Sequence, residues 1–163
     1  MALKFRHAGQ ACITANRVFV QWGVYDKFGE MLTTRAKALK VGHGMDKTTT
    51  MGPVTVPAGI EKVDRQIKDA IEKGAKVLTG GNRIQQEGGF FFEPTIIKDA
   101  GDRMLVTDEE TFGPLLALYP FDTEEQAVEA ANNTSVSRLP HIVRIALLIF
   151  TDGSVIVLLH QER

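Results

Sequence analysis

The sequence predicts an α/β domain built on a largely parallel sheet, and three observations carry that expectation. Short β-branched or aromatic runs alternate with longer stretches whose apolar residues recur every three or four positions. Glycine and proline cluster at the boundaries between these stretches. The chain's 163 residues, 44% of them apolar, are enough to bury one core without a disulfide or a structural metal.

Arg17 to Gln21 has the make-up of a strand, closed by Trp22-Gly23. A helix is expected between Val24 and Leu39, where Val24, Phe28, Met31, Leu32 and Leu39 fall largely on one face. Lys37 and Lys40 suit its C-terminal end, and Gly42 and Gly44 stop it. Asp46 to Pro57, rich in threonine and broken by Gly52-Pro53, reads as an irregular surface connection. A second amphipathic helix starts near Ala58, with Ile60, Val63, Ile67 and Ile71 on one side, and Gly74 ends it.

Lys76 to Thr79 is a short strand, Gly80-Gly81-Asn82 a turn, and Phe90 to Ile97 an extended stretch that Pro94 places at an edge or a bend. Leu115 to Tyr119 reads as a buried strand. Asp122 with Glu125 resembles a capping box opening a helix from Thr123 to Ala131. Beyond Val136, Ile142 to Phe150 and Val155 to Leu159 read as two β runs joined by Thr-Asp-Gly-Ser in the manner of a hairpin.

Nineteen basic against twenty acidic side chains leave a formal charge of −1 and no basic run, which argues against nucleic acid or an acidic membrane surface as partner. The longest strongly apolar run, Ile145 to Phe150, is far short of the roughly 20 residues that span a bilayer. The first 15 residues carry Lys4, Arg6 and His7 and no apolar stretch of signal-peptide length. With a single cysteine, the expected setting is a reducing one, the cytoplasm.

That cysteine, Cys12, reads either as a small buried hydrophobe or as a nucleophile, since even an unperturbed thiol with a pKa of about 8.5 is partly ionised at neutral pH. Gly9 permits a tight backbone before it, and Arg6 and His7 offer positive charge that favours a thiolate. A second unusual stretch is Asp108-Glu-Glu-Thr-Phe-Gly-Pro114. It reads either as a solvated acidic turn with Phe112 tucked into the core, or as a cofactor site. A carboxylate accepts ribose hydroxyls well, and an aromatic face flanks a planar ring. The four histidines lack metal-ligand spacing, so no metal is expected. Gly42-His-Gly44 lacks the third glycine of a dinucleotide fingerprint, and no Gly-Lys-Ser/Thr occurs.

Taken together, the two stretches resemble the aldehyde dehydrogenase superfamily. Phe5-x-x-x-Gly9-Gln10-x-Cys12 resembles its active-site cysteine motif, and Glu109-Glu110-Thr-Phe112-Gly113-Pro114 its cofactor-side motif. Gly80-Gly81, Phe92-Glu-Pro-Thr95 and Phe121-Asp-Thr-Glu-Glu125 fall between and after them in the family's order. The Lys4-Phe-Arg6 start is closest to the succinate-semialdehyde branch.

The resemblance implies NAD(P)-dependent oxidation of an aldehyde, succinate semialdehyde in that branch, through a thiohemiacetal and a thioester on Cys12. Glu110 would hold the nicotinamide-side ribose of NAD or NADP, with Phe112 packed beside it. Arg6 would hold the substrate's far carboxylate, a task suited to a guanidinium fork. The small aldehyde is then the partner that matters, and the parent family is homo-oligomeric.

Two departures stand beside the match. His7 takes a place where that branch usually has asparagine, and Thr14 one where a small residue or second cysteine is common, so no regulatory disulfide beside Cys12 is available. The resemblance also implies a three-layer catalytic domain, with its sheet flanked by helices, that is truncated at both ends. Residues 1–136 would be the catalytic-domain fragment and 137–163 a divergent β-like tail, of the kind a shifted reading frame or a retained intron produces. The family's nucleotide-binding half, with its general base, would precede Phe5. On that reading the isolated chain is inactive and its exposed apolar faces self-associate. The alternative is a non-catalytic truncated partner of full-length subunits. A small thiol-dependent hydrolase is a third reading, weakened by the lack of a positioned base.

Overall fold

The computed structural model describes residues 2–12, 14–133, 145–149 and 155–160, with only the backbone for 2–3 and the last two segments. Two short helical pieces open the chain: α1 (Ala2–Phe5), then a 3-10 turn over Arg6–Gly9. Strand β1 (Ala15–Gln21) follows, then α2 (Trp22–Lys37) and α3 (Pro57–Glu72). After these come β2 (Lys76–Thr79), β3 (Arg83–Ile84), β4 (Phe91–Phe92) and β5 (Thr95–Lys98). The single turn α4 (Leu105–Asp108) leads to β6 (Leu115–Phe121), α5 (Glu124–Asn132), β7 (Ile145–Ile149) and β8 (Val155–His160).

Six strands form one sheet in the order β2-β5-β6-β1-β8-β7. Its centre is parallel, β5 on β6 and β6 on β1, as the strand–helix alternation predicts. Antiparallel strands extend it at both sides: β2 on β5, β8 on β1, and β7 on β8 as the hairpin reading expects. The turn assigned to 151–154 and the boundary at 136/137 lie outside the described residues.

Helices cover both faces. Leu118 of β6 points to α2, where its Cδ1 approaches Gly29 and its carbonyl accepts a 3.2 Å hydrogen bond from the Tyr25 hydroxyl. Tyr119, next along, points the other way and meets the Thr107 hydroxyl of α4 at 2.9 Å, as alternation along a strand requires. On that second face Phe19 stacks on Tyr119 with ring centroids 5.0 Å apart. The β6 run Leu115 to Tyr119 is fully buried, as expected of a strand covered on both faces.

Several boundaries differ from the sequence expectation. β1 ends at Gln21 as expected, but Trp22-Gly23 already belongs to α2, which starts two residues before Val24. The extended stretch at Phe90–Ile97 splits at Pro94: β4 pairs with β3 in a separate two-stranded sheet, and β5 joins the main one. The capping box is shifted by one residue. Thr123 caps α5 by accepting from the Gln126 N–H, and Gln126 accepts in return from Thr123, whereas the expected pair was Asp122 and Glu125. The connection after Asp46 is irregular but not all surface, since Met51 and Val54 are buried and bridge to Val41 and Phe90. No helix among the described residues is long and apolar enough to cross a membrane.

Candidate active site

Cys12 is exposed and follows a backbone of unusual hand. His7, Ala8 and Gly9 have φ of 52°, 53° and 74° in succession, a region that favours glycine and tolerates asparagine better than other side chains. The turn is held from outside by Gln10. Its Oε1 accepts from the Thr55 N–H at 2.8 Å and the Thr55 hydroxyl at 2.7 Å. Its Nε2 donates to the carbonyls of His7 at 3.0 Å and Pro53 at 3.2 Å. Both amide groups of Gln10 are thus used to fix the turn before the thiol.

The acidic stretch lies against this turn. Lys4 is buried, and its Nζ donates to Asn16 Oδ1 at 2.8 Å and to the Thr111 carbonyl at 3.3 Å. A Cβ on Gly9 would overlap the Gly113 carbonyl, so the two backbones touch directly. The sequence-distant motifs around residues 9–12 and 109–114 therefore form one locality. Thr111 is anchored further by its hydroxyl, which donates to Gln66 Oε1 of α3 at 3.0 Å. Gln66 Nε2 reaches the Glu109 carbonyl at 3.4 Å.

The three neighbouring carboxylates have different surroundings. Glu109 accepts from both terminal nitrogens of Arg65, one on each carboxylate oxygen, at 3.1 and 2.7 Å. Glu110 is half-buried and close enough to Lys4 to act on its charge. Asp108 is exposed at the end of α4, and with Ala58, Glu61, Lys62, Arg65 and the two glutamates it lines an open polar cleft. Burial pushes the Lys4 ammonium down to about 7, and the Glu110 charge opposes that shift.

Cys12, Arg6 and His7 are exposed on the turn, so Cys12 is not the small core residue of its bland reading. Phe112 is 44% exposed rather than tucked into the core, which leaves the acidic stretch as a loop presenting an apolar ring. Lys4, Gln10, Asn16 and Gln66 carry the local geometry, and the residue types alone did not nominate them. The one local signal for Lys4 is its place in an otherwise apolar Ala-Leu-Lys-Phe start. Among the described residues no three or more His, Cys, Asp or Glu side chains converge so that they could hold a metal ion.

One α/β domain thus carries an exposed thiol on a turn that packs against a loop of carboxylate and aromatic side chains. The chain belongs to the aldehyde dehydrogenase family, whose model matches residues 1–139. It is 44% identical over 134 residues to a succinate-semialdehyde dehydrogenase [NADP(+)] of Schizosaccharomyces pombe, covering 82% of this chain and 27% of that protein. It is 46% identical over 134 residues to a 3-sulfolactaldehyde dehydrogenase of Pseudomonas putida, with the same two shares. The structure of an NAD+ complex of aldehyde dehydrogenase from Bacillus cereus superposes with a TM-score of 0.77 at 37% identity, over 82% of this chain and 27% of that one. The chain thus spans about a quarter of the length of the curated relatives it matches.

Proposed function

We propose that this chain carries the thiol and the nicotinamide-side loop of a centre that oxidises an anionic aldehyde of the succinate-semialdehyde type. The observation that supports this reading most is the docking of the Cys12 turn on the Glu110–Phe112 loop through Lys4, Gly9 and Gly113. Residues 1–136 are the catalytic portion in this reading, and 137–163 a divergent extension.

In this assignment the Cys12 sulfur bonds to the aldehyde carbon, with its own backbone N–H donating to the developing oxyanion. NAD or NADP, when bound, accepts the hydride of that carbon. Cys12 then carries the acyl group as a thioester, which water cleaves to the acid and the free thiol. The half-buried Glu110 carboxylate and the exposed Phe112 ring fit the ribose and ring end of such a cofactor, the first as acceptor for hydroxyls and the second as an apolar flank. Arg6, exposed on the same turn, takes the far carboxylate of the substrate. The names of the two relatives favour a short aldehyde bearing a second, anionic group. An exposed lone thiol suits a reducing, cytoplasmic setting.

Taken alone, these 163 residues are proposed to lack turnover. Their acyl chemistry is nonetheless testable, by treating the chain with the p-nitrophenyl ester of succinate or of butyrate and locating the adduct by mass spectrometry. The expected result is a succinyl group on Cys12, formed faster than the butyryl one, and lost in Cys12→Ser. Arg6→Ala should remove the preference for succinyl. No Cys12 adduct with either ester would overturn the nucleophile assignment, and Cys12-dependent NAD(P) reduction with succinate semialdehyde would overturn the lack of turnover.

A second reading is a non-catalytic partner of full-length subunits. The edge strand β7 favours it, because Ile145–Ile149 contains no charge to discourage pairing. Co-expression with a full-length relative and size-exclusion chromatography decides it: separate elution removes this reading.

A further inference from the structure

Among the described residues Lys4 is the one buried ammonium, and the roles proposed above do not use it. Its Nζ joins the Asn16 side chain of β1 to the carbonyl of Thr111, which lies 107 residues beyond Lys4 itself. Thr111 sits between Glu110 and Phe112, so a hold on its backbone is a hold on both neighbouring side chains. From the opposite side, Gln66 of α3 grips the same segment at the Thr111 hydroxyl and the Glu109 carbonyl.

We propose that Lys4 is a positioning residue: by holding the Thr111 carbonyl against Asn16, it keeps the Glu110 carboxylate and Phe112 ring in register with the Cys12 turn. This deepens the assignment above and rests on it for the meaning of that register. Hydrogen bonding alone would be served by a neutral donor. An ammonium adds a charge that faces Glu110, and a buried charge persists only where hydrogen bonds and an opposite charge compensate its desolvation. Glu110 is the charge that acts on Lys4, and the other groups around Lys4 are neutral, engaged or exposed. β1 presents the neutral Asn16, α3 the neutral Gln66, and Glu109 is engaged by Arg65. Asp108, Arg6 and His7 are exposed. Because burial brings the Lys4 ammonium to about 7, an opening that returns it to water takes up a proton near neutrality, so the closed arrangement gains on the opened one as pH rises.

Amide hydrogen exchange on the full chain tests this without any turnover. In Lys4→Met, the amides of Glu110, Thr111 and Phe112 should exchange about ten-fold faster, the loss expected for one charge-assisted hydrogen bond. Those of Leu116 to Leu118 in β6 should not change. In the wild-type chain the protection of the same amides, corrected for intrinsic base catalysis, should rise between about pH 6 and about pH 8, and Lys4→Met should show no such step. Unchanged exchange at 110–112 in a folded Lys4→Met overturns the proposal, and so does an equal acceleration throughout β6. Should the variant fail to fold, the wild-type pH series decides, since a missing step there also overturns it. Acylation of Cys12 is read separately, so a failed nucleophile and a failed positioning residue give different results.

Discussion

Gly9 and Gly113 meet backbone to backbone: a Cβ on Gly9 would overlap the Gly113 carbonyl, and Gly9 itself has φ of +74°. One glycine belongs to the turn that leads to Cys12 and the other to the loop that carries Glu110 and Phe112. The two loops of the candidate site are thereby set at a distance only a missing side chain allows.

Gly9→Ala should accordingly cost at least about 2 kcal/mol, the sum of a left-handed backbone and a steric overlap. Gly44→Ala, at a position with open space around the added carbon, should stay within about 0.5 kcal/mol. Urea denaturation of the two variants checks this, and equal midpoints would contradict it.

The buried Lys4 makes stability depend on pH in a definite direction. Its ordinary value is 10.5 and its value in the fold is about 7. Between these the unfolded chain holds a proton that the native chain has released, so stability rises with pH over that window. Above about pH 10 the sign reverses, because burial raises the Tyr25 and Tyr119 hydroxyls and the unfolded chain then ionises first. Urea midpoints taken across this range should rise and then fall in the wild-type chain, and Lys4→Met should lose the rise.

The Arg65–Glu109 pair has good fork geometry but lies in water, with 55% of the Arg65 side chain exposed. Glu109→Gln should cost less than about 1 kcal/mol and lose most of that cost in molar salt. Thermal unfolding at two salt concentrations measures it.

Arg17 is buried beneath the C-terminal end of α5, where it donates to the carbonyls of Ala130 at 3.2 Å and Ala131 at 3.0 Å. Its guanidinium also lies 5.6 Å from the centre of the Phe19 ring. Arg17→Met should destabilise the chain by about 2–3 kcal/mol and fray the last turn of α5 first. Hydrogen exchange at residues 130–132 would show it.

What the sequence revealed depended on how local the cause was. β2 was legible as Lys76–Thr79 because Gly74 and Gly80 bound it within a few residues. The start of α5 was misplaced by one residue because Asp122 and Thr123 are both good caps, and the choice between them rests on β6 running through Phe121. The single turn α4 is too short to show a period. Phe112 could be read as core or as exposed. The outcome follows from the Lys4 tie to Thr111, a contact no local pattern announces. Motif wording points to Cys12 and Glu110, whereas nothing in the immediate neighbours of Lys4 reports its burial.

The positive φ run at His7, Ala8 and Gly9 carries a consequence for what the chain can tolerate just ahead of its thiol. A β-branched side chain at either of the first two places would be expelled by its own backbone, while asparagine enters that conformation at little cost. The amino acids admissible there are filtered by handedness before any demand of reactivity is felt. His7 is one of the few side chains that passes.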